Sequence, residues 1–494
     1  MNKQLGVVLF SFLDLDKSSP IPLFQQMNTQ IRQAVLSGRL PSHIRLPSSR
    51  VLALDIGVSR TTVVTAFEQL IAEGYLESRI GAGTYVAGDL AEIIGYPPSR
   101  PNAGGADKTR RASKLSRRGT LLAKTISYET PVKPGSFLPN QPAYDQFPFA
   151  IWSRFVARKN RNPSYESLNY GNAAGYLPLR QAIADHLRHA RGINCDSGQV
   201  IVVTGAQIAL SLSTWVLMDP GDEVIMENPS LLATRDMIIG FGGKVVNASV
   251  DKNGMNFNAA ISKAPNARMA IVTASNQYPL GVTLSLSRRL EMLAWANQKE
   301  GWIIEDDYDS EFRFSGAPLE PMQTIDQNGR VIYVGTFSKV LFPSLRIGYL
   351  VVPPDLADAY CAAVHLLNRS APTLDQAALA EFINNGHFSA HIRRMRLIYA
   401  ERQGAIVAAL RKTLAGLLEI SATQTGLNVI GWLPQDMSDV VAVQQLRAHG
   451  ILSAPMSPHF AEQNSRQGLL LGFGCTPVDE IQPCVDKMAR ALGV

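Results

Sequence analysis

"VGTFSKVLFPSLRIGYLVVP" (residues 334–353) is almost wholly apolar, yet it holds one lysine, Lys339, and one arginine, Arg346. Two β-rich runs flank a short break, so the stretch reads as buried strand, turn and strand. Lysine is almost never fully buried without a partner. Here it stands among small hydroxyls, Thr336 and Ser338, with a permanent cation a few residues on. Hydroxyl donors and a guanidinium together suit a phosphate. An amine beside them, withdrawn from water and near positive charge, is held neutral and nucleophilic.

Working outward, runs of the same kind recur: "VIVVTG", "DEVIMEN", "KVVNASV", "MAIVTAS" and "GWIIEDDY", with helical patterns such as residues 287–299 between some of them. This alternation predicts a mostly parallel sheet covered by helices. Longer helices follow from about residue 373, and then a small α/β part. Two of the runs carry chemistry. "VTGAQIAL" is a strand, Gly205, and a helix from Ala206, whose free N–H groups suit an anion. "IIEDDYDSEF" delivers Asp306 and Tyr308 to the carboxyl edge of the sheet, where open α/β sheets bind ligands.

Each of these is ordinary α/β structure when taken alone. In this order they meet the demands of one cofactor, pyridoxal 5′-phosphate (PLP). Its phosphate needs the Ala206 and Gln207 N–H groups, Thr336, Ser338 and Arg346. Its ring nitrogen needs a carboxylate, Asp306, and its phenolic oxygen a donor, Tyr308. Its aldehyde needs an amine, so Lys339 is the expected Schiff-base residue.

The 494 residues suggest two to four domains, and 46% hydrophobic with 18% charged residues describes a globular chain with a large core. A net charge of +6 permits nucleic-acid contact without establishing it. Four cysteines form no C-x-x-C pair and stand at no zinc-ligand spacing, so reduced thiols, a cytoplasmic protein and no metal site are expected. The apolar run at residues 7–13 is too short for a membrane span or a convincing signal peptide.

The other end of the chain raises a second question. Leu23, Met27, Ile31 and Ala34 lie at helical spacing and Gly38 stops the run. Ser48 caps a short helix that Gly57 ends. Ser59 caps a third, whose first turn, Arg60-Thr61-Thr62, is polar. Two short β runs follow around "RIGAG". Helix, helix, turn, polar-tipped helix and hairpin make a winged helix-turn-helix, whose recognition helix enters the major groove by its N-terminus. Arg79 and the glycine-rich wing tip can lie along the backbone or the minor groove.

"PLFQQMNTQIRQAVLSGRL", "LPSSRVLA" and "GVSRTTVVTAFEQLIAEGYLESRIGAGTYV" resemble the GntR-type DNA-binding domain over roughly residues 20–87. The resemblance implies Arg50, Ser59, Arg60, Thr61, Thr62, Gly83 and Thr84 as DNA contacts. It departs at His43-Ile44, where a glycine is usual. Domain boundaries of 18–87 and 135–494 follow, joined by a flexible basic linker, 88–134. Lys108, Arg110, Arg111, Lys114, Arg117 and Arg118 cluster in that linker.

In the larger part, "LNYGNAAGYLPLRQAIADHLRHARGI", "IIEDDYDSEFRF", "GTFSKVLFPSLRIGYLVVP" and "GHFSAHIRRMRLIYAERQ" resemble fold-type-I aminotransferases. More narrowly they resemble the aminotransferase-like domain of MocR/GabR-type regulators. That likeness implies a head-to-tail homodimer, with Tyr170 reaching the partner's phosphate. It implies a double-stranded DNA operator, and as effector PLP itself or a small amine or amino-acid-like molecule. The expected function is a PLP-dependent transcription regulator that senses through Lys339. An active aminotransferase with an appended head is the alternative. Three positions depart from the enzymes. Leu231 replaces the aromatic ring over the cofactor, Tyr278 replaces a ring-binding asparagine, and Leu470 replaces the late-strand arginine that binds substrate carboxylates, with Arg466 in the loop before it.

Overall fold

The computed structural model describes residues 10–88, 114–123, 136–314, 319–423, 425–461 and 466–493. The chain divides into two compact units, 1–113 and 114–494.

The first unit contains α1 (Leu23–Leu36), α2 (Ser49–Asp55), α3 (Arg60–Ala72) and a hairpin of β1 (Leu76–Arg79) and β2 (Gly83–Val86). The apolar stripe read from the sequence is its core: Met27 and Ile31 of α1 and Val63, Ala66 and Leu70 of α3 are fully enclosed. Ser48 and Ser59 cap α2 and α3 as their positions predict, each accepting a backbone N–H. The core reaches further back than residue 18. Phe10 is buried in it with Phe12, Leu13 and Leu15 alongside, and Gln30 and Gln26 tie Asp14 and Asp16 to α1. His43 takes φ 64°, the left-handed backbone that the usual glycine would adopt, so the substitution leaves the turn in place.

The expected linker is only in part described. Residues 89–113 and 124–135 lie outside the described residues. Between them α4 (Arg117–Leu122), capped by Ser116, packs against a helix of the second unit near Gly240. Arg117 and Arg118 therefore lie on that helix rather than on a free tether.

The second unit is built on an eight-stranded sheet: β3 (Val200–Val203), β4 (Glu223–Asn228), β5 (Lys244–Asp251), β6 (Gly254–Met255), β7 (Met269–Val272), β8 (Trp302–Asp307), β9 (Val331–Thr336) and β10 (Gly348–Val351). The order is β3-β10-β9-β8-β7-β4-β5-β6. Strands β5, β4, β7, β8 and β9 run parallel, and β10 is antiparallel to both of its neighbours. Strands buried on both faces read as continuous apolar runs, which is why the sequence pattern located them. Helices α5 (Ala206–Leu217) and α6 (Leu232–Gly240) follow β3 and β4. Beyond residue 373 come α7 (Thr373–Asn384) and α8 (His387–Thr413). A smaller antiparallel sheet follows, made of β11 (Glu419–Ser421), β12 (Asn428–Trp432), β13 (Ala454–Pro455) and β14 (Gly468–Gly472) in the order β11-β12-β14-β13. Among the described residues no helix is long and apolar enough to cross a membrane.

Candidate cofactor site and nucleic-acid interface

The carboxyl ends of β4, β7, β8 and β9 converge on one cavity of about 240 Å³. Its lining includes Ala206, Gln207, Asp306, Tyr308, Thr336, Ser338, Lys339 and Arg346, so eight of the nine residues predicted for the cofactor meet there. Tyr170 does not. It is 68% exposed, its ring lies under the Arg369 guanidinium at 4.8 Å, and its carbonyl accepts from Ser370 Oγ.

The anion end is assembled by close packing. Gly205 precedes α5 with φ 101°, a conformation open to glycine alone, and a Cβ there would stand 3.2 Å from Arg346 Nη2. Gly348, paired with both Thr336 and Val203, lets β10 approach the start of α5. A Cβ there would sit 3.0 Å from the Ala206 nitrogen. Arg346 donates to the Thr204 carbonyl at 2.8 Å, which fixes its guanidinium beside that helix N-terminus.

At the other end, Asp306 Oδ1 is out of reach of water and accepts no hydrogen bond. Burial pushes this carboxyl up to about 7; Asp307 reinforces the shift and Lys339 opposes it. A buried acceptor without a donor is costly, and a ring N–H is the donor that PLP would bring. Tyr308 OH receives Asn276 Nδ2 at 3.2 Å, and Asn276 is itself held by Asp309 and by Thr425 Oγ1. Lys339 Nζ donates to the Asn140 carbonyl at 3.0 Å. Burial lowers its pKa against the opposing pull of Asp309 and Asp306, which favours the neutral amine. An orphaned acid, an anion-ready helix end and a desolvated lysine in one cavity fit PLP.

The sequence reading missed several liners. Asn140 lies 199 residues before Lys339 and has no local signature. Glu227, unremarked within the run "DEVIMEN", is enclosed, accepts from Thr273 N and Oγ1, and is pushed up to about 7 by burial. Of the three departures, Leu231 and Tyr278 line the cavity. The Tyr278 ring meets Tyr308 and His459 edge-on. Leu470 is fully buried with Ile430, Trp432 and Met456, and Arg466 pairs with Glu419 and stacks on Trp432.

In the first unit, Arg50, Arg60 and Thr61 are exposed, with Thr62 half-buried beside them. Ser59 Oγ is engaged as the cap of α3, accepting from Thr62 N at 3.1 Å. Gly83 has φ 107° at the hairpin, and a Cβ there would lie 3.3 Å from Arg45 Nε, so Arg45 joins the wing as a cation the sequence reading passed over. Arg79 pairs with Glu77 and lies over the Tyr85 ring.

A winged helix-turn-helix in one unit and an aminotransferase fold in the other define a DNA-binding regulator of fused architecture. Residues 23–86 match the bacterial regulatory proteins of the gntR family, and residues 140–466 match aminotransferase class I and II. The probable rhizopine catabolism regulatory protein MocR of Rhizobium meliloti is 39% identical over 93% of this chain and 92% of its own length. The uncharacterized HTH-type transcriptional regulator YhdI of Bacillus subtilis is 32% identical over 97% of each. The α-aminoadipate aminotransferase of Thermus thermophilus, solved with N-(5′-phosphopyridoxyl)-L-leucine, is 26% identical with a TM-score of 0.67, covering 76% of this chain and 94% of that one. The chain belongs to the MocR-like transcription regulators, with a GntR-type head and an aminotransferase class I/II domain.

Proposed function

We propose that this regulator binds PLP in the cavity around Lys339 and couples its occupancy, or that of a small amine beside it, to DNA binding by the head. The observation that carries this reading is the convergence of Lys339, orphaned Asp306 and Arg346 on one cavity. When bound, the cofactor supplies an aldehyde carbon that condenses reversibly with amines. Arg346, the hydroxyls of Thr336 and Ser338 and the first N–H groups of α5 hold its phosphate. Asp306 shares a proton with the ring nitrogen. Tyr308, oriented by Asn276, donates to the phenolic oxygen. Lys339, whose pKa burial lowers, would be the amine that attaches.

Regulation suits this site better than steady transamination. The position of the enzymes' carboxylate-binding arginine is filled by Leu470 inside an apolar cluster. An effector needs only to bias two states of the protein, and the same coupling acts in both directions between cavity and DNA. A homodimer is supported by large apolar groups left exposed beside Tyr170 in the chain, Tyr165 and Leu168. A dimer formed through this face would carry two heads.

The test uses the full chain and a duplex selected by the PLP-loaded protein from a random-sequence pool. Removing or restoring PLP should change its affinity by roughly fivefold or more in the wild type, and not in Lys339→Ala. Equal affinity in all four states contradicts the reading.

A further inference from the structure

Four charged side chains line the cavity: Glu227, Asp306, Lys339 and Arg346. Resting on the cofactor reading above, three of them are committed, Arg346 to the phosphate, Asp306 to the ring nitrogen and Lys339 to the aldehyde. The charge that remains is Glu227, an acid. The other polar liners not assigned to the cofactor are neutral: Asn140, Ser230, Thr234, Thr273 and Tyr278.

No spare cation faces this space among the described residues. Arg235 follows Thr234 on α6 but stands outside the lining. Arg466 is held by Glu419 and lies over the Trp432 ring at 4.4 Å. Leu470 is enclosed by Ile430, Trp432 and Met456, with Tyr278 and Leu280 packed against the cluster, so hydrocarbon fills the wall behind Tyr278. Of the second unit's residues outside the description, 315–318, 424 and 462–465 include no lysine or arginine, whereas 124–135 include Lys124 and Lys133. A carboxylate brought into this space would lose its water, find no counter-ion and face Glu227. A hydroxyl would find both donors and acceptors.

We infer that the effector is a small primary amine without a carboxylate, in chemical class an amino alcohol rather than an amino acid. Its amino group lies toward Lys339, and its hydroxyl is received by the neutral liners and Glu227.

The test titrates the PLP-loaded full chain, freed of excess cofactor, with three matched pairs: ethanolamine and glycine, 3-amino-1-propanol and β-alanine, 4-amino-1-butanol and 4-aminobutyrate. Within a pair only CH₂OH and carboxylate differ. Two readouts are followed, the visible absorbance of the bound cofactor and the anisotropy of a labelled selected duplex. The better alcohol should half-saturate both signals at a concentration roughly 10- to 100-fold below that of its partner acid. An amino acid acting at an equal or lower concentration overturns the inference and shows that a cation reaches the pocket, as from a second copy. No response to any alcohol also overturns it. If no bound cofactor absorbs before any amine is added, the cofactor reading itself has failed, and the effector class falls with it.

Discussion

The side-chain nitrogen of Lys339 donates to the main-chain carbonyl of Asn140 at 3.0 Å. Asn140 is in turn gripped by Asn428 of β12, N–H to Oδ1 at 2.9 Å and Nδ2 to Oδ1 at 2.8 Å. The reactive amine of the large sheet is thus tied, through one residue, to the small C-terminal sheet. Any ligand that draws Lys339 away from Asn140 breaks that tie, which gives occupancy of the cavity a route to the rest of the unit. Asn428→Ala should leave cofactor binding within a few-fold and reduce the change in DNA affinity on effector addition. Parallel titrations of both proteins measure this, and an undiminished response would remove the tie from the account.

Asp306→Asn removes the ionisable partner of the ring nitrogen while keeping shape. PLP affinity should fall by roughly 10- to 100-fold, the loss expected for a charge-assisted hydrogen bond. Equilibrium titration by absorbance measures it directly.

The same carboxyl gives a pH signature to the cofactor-free protein. Its pKa is raised on folding from an ordinary 3.8 to about 7. A raised folded pKa means stability fully present below the unfolded value and lost as pH rises through the folded one. The contribution of this carboxyl to stability should therefore decline between about pH 4 and pH 7. The slope should be shallower in Asp306→Asn, as read by urea midpoints across that range.

Gly205→Ala forces a side chain onto φ 101° and toward the Arg346 guanidinium. A cost of ~1–3 kcal/mol in stability is expected, with a larger loss of affinity for PLP than for pyridoxal, because the phosphate end is the part disturbed. Equal losses for both ligands would place the damage elsewhere.

In the head, Arg60→Ala removes an exposed cation from the first turn of α3. DNA affinity should fall while thermal stability stays put, and if the contact is to phosphate the salt slope should drop by about 1. Ser59→Ala should behave differently, because the hydroxyl caps α3. It should cost ~1 kcal/mol of stability, seen as a lower unfolding midpoint of the full chain's first transition.

Much of this was legible in the sequence because the chemistry is local in the chain. Lys339, Arg346 and the two hydroxyls fall within one strand-turn-strand, Asp306 and Tyr308 leave one strand together, and Gly205 stands at a strand-helix turn. The doubly buried strands announced themselves as unbroken apolar runs. What escaped notice is held by distant pairings. Asn140 and Asn428 meet only after folding, and Glu227 shows its burial only once β4 lies inside the sheet. Arg45 enters the wing through packing against Gly83, which no spacing rule encodes. Phe10 and its neighbours fell outside the expected head, 18–87, because an apolar run so short carries no period.

The most direct test of the central claim is the visible absorbance of the purified full chain with added PLP, beside that of Lys339→Ala. The account predicts a band from lysine-attached cofactor in the wild type that the variant lacks, with the variant still folded by circular dichroism. Identical spectra for the two proteins, whether with a band or without one, would contradict it.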